Sequence, residues 1–433
     1  MLKYLKSIQL PCLMLSLLTS TPTEADWSQP SLISPIPSGH ALGMDDKGNA
    51  MVIWNNTMNG MANDFYYNYL LKGQGWDTPR PLSSVDGQTF VGLPSIAIDA
   101  SSNVVTVWEE IQYREDHNIS TIKAGMHPSP GRWTVVDITS LKGVGQYPKV
   151  AISPSGFAVA VWEKWEQTAE SPRIIQAATL QFGGDWSAPL DIGQGSFPEI
   201  VMDSAGNAVV AWIDQTVKSA CLPTGGSWSS PTSISSSDSL GARELTLAIN
   251  PSGFAVAAWI DIDYEEATAL INTSTLQFGE SWSPAVAVPL PYKTYFINAL
   301  NIVVGNAGNA TLVWQHEIFT QSAFPMPKET LIQSSLFLHK GKWTKPVTIS
   351  PEGGFCRNPQ VALDGSGTAY AVWNNDKSVQ VSSRPFAGKW SAATDLSNEG
   401  NNSYPIISVD STGYAVVVWQ NSLGGIQSAS LTP

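Results

Sequence analysis

The chain has 433 residues, 43% of them hydrophobic and only 14% charged, with 36 acids against 23 bases for a net charge of -13. That balance argues against nucleic acid and against an anionic membrane surface, both of which need a basic stripe. The length alone would suggest two or three domains, but a repeated pattern argues for one array of residues 26–433.

The first 25 residues read as a secretory signal. Lys3 and Lys6 supply the positive start, Ile8 to Leu18 the short apolar run, and Thr23-Glu24-Ala25 a cleavage site before Asp26. About eleven apolar residues interrupted by Pro11 are too few to span a bilayer, and no later stretch is long and apolar enough to do so. An exported protein is expected: periplasmic, cell-surface or secreted, and monomeric. Cys12 falls in the leader. Cys221 and Cys356 lie in the fourth and seventh copies of the repeat, so each reads as a small buried hydrophobe rather than half of a disulfide.

After the leader comes a lone segment from Trp27 to Ser34, and then one pattern eight times over. The pattern ends at Trp54, Trp108, Trp162, Trp212, Trp259, Trp314, Trp373 and Trp419, at intervals of 46 to 59 residues. A period of this size points to a propeller or a solenoid. Each copy opens with large apolar residues flanking a small one, such as Ile96-Ala97-Ile98 or Ile407-Ser408-Val409. That alternation predicts a first strand. A turn of the type Asp203-Ser204-Ala205-Gly206 follows. Its Asp can accept from the backbone two residues on, and its Gly takes the left-handed conformation that closes a hairpin. Ser153, Asn250 or Gly305 stands in for the Asp in some copies, so it reads as a turn device and not as a catalytic acid.

A second strand, apolar at every position, carries the tryptophan, as in Ala208-Val209-Val210-Ala211-Trp212. Both its faces must be covered. Past a variable loop, Ile174 to Phe182, Leu270 to Phe278 and Leu331 to Leu338 predict a third strand. A Gly-containing turn then leads to a further tryptophan, often within Trp-Ser-x-Pro: Trp76, Trp133, Trp186, Trp228, Trp282, Trp343 and Trp390, with Trp27 as the eighth. These are expected to open an outer strand such as Trp186 to Ile192, where a proline is tolerated. The chain ends on a lone third strand, Ile426 to Leu431. The expected fold is therefore an all-β, eight-bladed β-propeller of four-stranded antiparallel blades. The N-terminal outer strand completes the last blade and closes the ring.

The turns between first and second strands are short and uniform, whereas the loops after the tryptophans vary, so any site is expected on the variable loop face. Directly after the tryptophans stand Asn55, Glu109, Glu163, Gln315, Asn374 and Gln420, with Asp214 and Asp261 one residue further. Carboxylates and amides in a ring can take sugar hydroxyls or a calcium ion. Trp165 alone lies outside both tryptophan series, in the loop after Trp162, and can stack on a sugar or dock a partner. Further acids on these loops are Glu110, Glu115, Asp116, Glu166, Glu170, Asp263, Glu265 and Glu266; Tyr113, Tyr264 and Phe319 are aromatic counterparts of Trp165. None of the five histidines makes a metal-ligand pair at short spacing, and no nucleophile elbow, phosphate loop or dinucleotide fingerprint is present. No cofactor is expected. A pair such as Glu109 and Asp261 could serve glycoside hydrolysis.

The repeat, carried by Ile200-Val201-Met202-Asp203 through Trp212 and the following Gly-x-Trp-Ser-x-Pro element, resembles the Val-x-Asp-x-x-Gly-x-Ala-x-x-x-Trp repeats of exported bacterial β-propeller proteins. The resemblance covers essentially all of the chain after the leader and implies a fold rather than an activity. Sialidases and quinone-cofactor dehydrogenases are similar only in part. In sialidases the tryptophan follows the turn glycine by three residues and in the dehydrogenases by four, against six from Gly206 to Trp212. The sialidase arginine triad and the dehydrogenases' adjacent cysteines are missing as well. The functional expectation is a module that binds a glycan or protein partner on the loop face. A glycan-active hydrolase and an envelope-assembly scaffold are the alternatives.

Overall fold

The computed structural model describes residues 26–433 apart from 37–38, 59–60, 85–88, 114–117, 140–142, 167–170, 236–240, 264–267, 291–295, 320–326, 340, 398–399, 401 and 422–424. The leader and the loop residues Glu115, Asp116, Glu170, Tyr264, Glu265 and Glu266 lie outside the described residues. No helix occurs among the described ones.

The strands form antiparallel sheets in which each copy of the repeat supplies consecutive neighbours. The fourth, fifth, sixth and seventh copies each make a four-stranded sheet, in the order first strand, tryptophan strand, third strand, outer strand. The second and third copies each make such a run too. They merge into one nine-stranded sheet through a single parallel bridge between Ser120 and Val144. In the last sheet, Asn402–Val409, Ala415–Asn421 and Gly425–Leu431 are joined by Ser31–Ser34 from the other end of the chain. Trp27 adds an isolated bridge to Leu431.

Burial follows from the apolar pattern. Ala208, Val209, Val210, Ala211 and Trp212 are all 0% exposed, because adjacent sheets cover both faces of the tryptophan strand. All eight tryptophans of this series are buried. The third strand places an amide opposite several of them to take the indole N–H: Trp162 donates to Gln176 (3.1 Å), Trp373 to Gln380 (3.0 Å) and Trp419 to Gln427 (3.2 Å). A buried indole N–H without an acceptor would be costly.

The turn reading is borne out in detail. Asp203 Oδ1 accepts from the amides of Ala205 (3.0 Å) and Asn207 (2.8 Å), and Gly206 sits at a φ of 85°. Asp45, Asp99, Asp364 and Asp410 hold their turns in the same way. The outer strands differ from expectation. In the first copy Trp76 pairs with Leu70 as expected, but elsewhere they begin after the tryptophan instead of on it, at Leu190 rather than Trp186 and at Thr232 rather than Trp228. Pro189 and Pro231 lack the N–H a ladder needs, so after single bonds from the Ser187 and Ser229 amides to Thr179 O and Cys221 O the continuous ladder starts only beyond them. The N-terminal outer strand likewise runs Ser31–Ser34 rather than from Trp27. Both remaining cysteines are free. Cys356 is buried and Cys221 half-buried, and burial pushes each thiol up to about 11.

Each first strand packs against the first strand of the next copy, and the last, Asn402–Val409, packs against His40–Met44. Met44, Ile98, Ile152, Met202 and Ile249, one from each of the first five copies, line one cavity of about 220 Å³ at the end where the Asp turns lie. Two contacts repeat across neighbouring copies. The outer tryptophan Trp343 of the sixth copy donates to Thr273 on the third strand of the fifth (2.8 Å), and Trp76 of the first donates to Ser428 of the eighth (2.8 Å). Thr273 and Ser428 pair with Ala258 and Val418, each the residue just before its tryptophan, so the two contacts fall at one position of the repeat.

Candidate functional site

The first strands carry a feature at their loop-facing end that the tryptophan strands lack. Opposite the tryptophan, the ladder gains one extra residue in six copies. In the third, Gln146 pairs with Glu163 but Lys149 pairs with Val161. The same shift occurs at Ser196/Glu199, Arg243/Thr246, Asn298/Asn301, Arg357/Gln360 and Ser403/Ile406. In each bulge one residue takes a positive φ: Tyr147, Phe197, Glu244, Ala299, Asn358 and Tyr404, between 50° and 55°. In the second copy the strand breaks instead at Gly92-Leu93-Pro94, and Leu93 holds the equivalent place.

A bulge re-aims side chains out of the sheet. Leu93 is 66% exposed, Tyr404 60%, Phe197 52% and Tyr147 47%, in a chain whose other large apolar groups mostly sit between sheets. These positions also touch from copy to copy. The rings of Tyr147 and Phe197 lie 5.0 Å apart at 48°. Leu93 lies against Gly39 of the first copy. Glu244 accepts from the backbone N–H of Ala299, which sits in the next bulge. The bulges therefore recur as a lip along the copies, in contact at three of the junctions, and Tyr147, Phe197 and Tyr404 turn aromatic rings outward.

Below this lip lie the residues that follow the tryptophans. Glu109 accepts from Ser120 Oγ (3.0 Å) and from Gln146, the neighbour of Tyr147; burial nonetheless pushes its carboxyl above the ordinary value. Glu163, the register partner of Gln146, is wholly buried. Arg173 bonds its Oε1, and its Oε2 has no hydrogen-bond partner among the described residues. The same Arg173 stands 5.4 Å from the Trp165 ring. Glu109, Glu163 and Trp165 thus converge on the junction of the second and third copies. Trp165 ends the strand Phe157–Trp165 and is half-buried, rather than standing on a loop. Its backbone pairs with Val144, which holds it in the sheet. Lys149 bridges to Glu199 on the next first strand (2.7 Å).

The other expected residues are held locally and apart from this junction. Asp214 pairs with Lys218 (2.5 Å). Asp261 accepts from the Trp259 indole (3.0 Å) and from Asn272 (2.6 Å), so its carboxylate braces the tryptophan. Gln315 donates to Glu317 (2.9 Å), Asn374 accepts from Asn358 (3.0 Å), and Gln420 pairs with Ser403 beside Tyr404. Glu110 lies 3.8 Å from Lys123, which reaches Asp137 at 2.5 Å. Among the described residues no group of three or more His, Cys, Asp or Glu side chains is placed to hold a metal ion. Among the described residues no helix is long and apolar enough to cross a membrane.

The aromatic lip is the part that sequence reasoning missed. A signal for it exists: Leu93-Pro94, Tyr147-Pro148, Phe197-Pro198, Asn358-Pro359 and Tyr404-Pro405 recur in five copies, the first residue of each standing three before the first large apolar residue of the motif, such as Ile96 or Val150.

No family model and no curated protein matches the chain. Among solved structures it is similar to a prolyl endopeptidase, with 12% identity, a TM-score of 0.50, and coverage of 90% of this chain and 55% of that one. It is also similar to a sialidase from Streptococcus pneumoniae (10% identity, 81% of this chain and 66% of that one, TM-score 0.41). An α-L-arabinanase from Penicillium chrysogenum is a third (14%, 94% and 96%, 0.44). The chain thus spans about half the length of the endopeptidase chain and 66% of the sialidase chain. At these identities the likeness is one of fold. The chain is an all-β protein of propeller-like architecture, built from four-stranded antiparallel sheets.

Proposed function

We propose that the chain is an exported eight-bladed propeller that binds a carbohydrate on its bulged lip. The ring reading rests on repetition. The first copy meets the eighth through Trp76 and Ser428 as the sixth meets the fifth through Trp343 and Thr273. Lys72 of the first copy also reaches Asp410 in the turn of the eighth (2.6 Å), and Ser31–Ser34 supplies the eighth copy's missing outer strand.

The observation that carries the binding reading is the Tyr147–Phe197 pair. Two half-exposed aromatic rings on neighbouring bulges offer faces on which the apolar side of a pyranose ring stacks, and Gln146, Glu199 and Lys149 stand beside them for its hydroxyls. Trp165, Glu109 and Glu163 belong to the surrounding rim, with Asp214, Asp261, Gln315, Asn374 and Gln420 as outlying members. The test is a glycan array on the wild type and on Tyr147→Ala/Phe197→Ala. The expected result is a defined set of bound glycans, each lost at least tenfold in the double variant. An array on which the double variant binds like the wild type removes this reading.

One observation favours a second reading, a glycan-active hydrolase. Glu109 and Glu163 lie on neighbouring copies and share Gln146 between them: Glu109 accepts from Gln146, and Glu163 is its register partner. One carboxyl is biased toward its protonated form, and the other is held beside an arginine. Unequal carboxyls are what a general acid and a charged partner require. Glycans bound on the array but returned uncleaved after long incubation would leave binding alone.

A further inference from the structure

At the opposite end of the strands, between the sixth and seventh copies, the apolar layer is interrupted. Arg384 closes the third strand Val379–Arg384 and pairs with Ala369. Its counterparts, paired with the equivalent residue of each tryptophan strand, include Leu70, Leu180, Leu222, Leu276, Phe337 and Leu431, all buried. The seventh copy therefore places a guanidinium where five other copies place a leucine, the sixth Phe337 and the second His127. It is only 6% exposed.

Its surroundings are matched to it from the neighbouring copy. Arg384 donates to Thr311 Oγ1 (2.7 Å). Thr311 stands where five other copies carry Val105, Val159, Val209, Val256 and Val416, three residues before the tryptophan. The guanidinium lies 5.3 Å from the Trp390 ring, but its Nε has no hydrogen-bond partner among the described residues. Burial alone pushes its pKa down, with no carboxylate acting against the shift. A buried cation with unused donors and no counterion is costly unless something anionic meets it.

A cavity of about 230 Å³ opens onto this arginine. Thr311, Leu336, Leu363 and Phe386 line it, together with the backbone of the turns at Gly305 and Gly365. No acid is among its described lining residues, in a chain of net charge -13. Phe386, half-exposed, stands at the rim against Gly367. The space is below the size of drug-type pockets, which start at roughly 300 Å³.

We propose that this cavity binds a small organic monocarboxylate, its carboxylate bridging Arg384 and the Thr311 hydroxyl and its apolar body resting on Leu336, Leu363 and Phe386. Arginine offers paired N–H donors to a planar carboxylate. Once Thr311 Oγ1 accepts from the guanidinium, its O–H is free to donate to the second oxygen. The site lies at the turn end of the strands, away from the aromatic lip, and stands whether or not the lip binds sugar.

The test is calorimetric titration of the intact protein with benzoate, benzyl alcohol and inorganic phosphate. Arg384→Leu restores the repeat's own residue and Thr311→Val does the same in the facing strand, so both variants are expected to fold. Should Arg384→Leu not fold, Arg384→Gln takes its place. Benzoate is expected to bind the wild type at least tenfold more tightly than benzyl alcohol or phosphate. That affinity is expected to fall tenfold or more in Arg384→Leu and several-fold in Thr311→Val. Absence of benzoate binding, equal binding of benzyl alcohol or phosphate, or undiminished binding in the arginine variant would each overturn the proposal.

Discussion

The tryptophan strands and the first strands face each other across every hairpin, yet they use repetition in opposite ways. The tryptophan strand repeats its chemistry. Trp162, Trp212, Trp259 and Trp419 are all 0% exposed, and the four residues before each of these are apolar. The bulge opposite repeats only its backbone: a positive φ near 50° recurs at Tyr147, Glu244, Ala299 and Asn358, four different kinds of side chain. Buried positions must fit both neighbouring sheets at once, so their identity is constrained. The bulge points its residue out of the sheets, so only the shape of the chain is constrained and the side chain can follow a ligand.

The largest effect should come from the repeated chemistry. Trp212 is fully buried, donates to Gln194 O at 2.6 Å and lies directly against Gly193 and Gly195. Trp212→Ala is expected to cost about 3–5 kcal/mol, read by chemical denaturation. A cost below 1 kcal/mol would mean that the tryptophans do not carry the inter-sheet packing.

Next in size is the contact between the two ends of the repeat array. The Asp410 side chain is fully buried, and its carboxylate takes Lys72 Nζ at 2.6 Å and the amides of Thr412 and Tyr414 at 2.8 and 3.0 Å. Burial alone would raise its pKa, but Lys72 and the Thr412 and Tyr414 hydrogen bonds outweigh it and hold the carboxyl below the usual range. A depressed folded pKa means the contribution is complete above the unfolded value of about 3.9. It is lost as the pH falls through the folded value. Asp410→Asn is expected to cost about 1–3 kcal/mol at pH 7, with the deficit shrinking in acid. A deficit that is constant from pH 7 to pH 2 would place the effect in the turn and not in the ion pair.

These two predictions rest on features that could be read from the residues. The tryptophan strands and Asp turns were legible because each is a local device: five apolar residues in succession, or an Asp and a Gly at fixed spacing. The lone segments at the two ends could be matched for the same reason. The lip was not legible, because Tyr147-Pro148 reads simply as a loop entering a strand, and nothing local shows that the strand has already begun at Val144. The acids and amides were found but not sorted. Whether Asp261 faces a ligand or braces Trp259 depends on Asn272, which lies on another strand. Arg384 escaped notice because its oddity exists only once the third strands are aligned by their pairing.

A smaller effect with the opposite sign is expected at Glu109. Burial raises its carboxyl despite the bonds from Ser120 and Gln146. A raised folded pKa means the fold is favoured by the neutral form: the benefit is present below the unfolded value and is lost as the pH climbs through the folded one. Glu109→Gln should therefore stabilise the protein at pH 7 by less than about 1 kcal/mol, and the gain should vanish near pH 4. Melting temperatures across that range decide it; a destabilised variant at pH 7 would mean that the charged form is the one the fold holds.

The smallest effect on stability should fall at the lip, and it bears most directly on function. Tyr147 is half-exposed, and its φ of 52° is a conformation a tyrosine adopts only at a cost. Glycine reaches that conformation freely, although it brings more entropy to the unfolded chain. Tyr147→Gly is therefore expected to change stability by no more than about 0.5 kcal/mol, because relieved strain offsets the lost contact with Phe197. A ligand stacked on the ring would be lost with it. A variant that melts like the wild type but no longer retains glycan would separate the two uses of the repeat: tryptophans that hold the sheets together, and bulges that hold a side chain out for a partner. A loss of several kcal/mol would mean that the ring is packing after all, and the lip would then belong with the tryptophans.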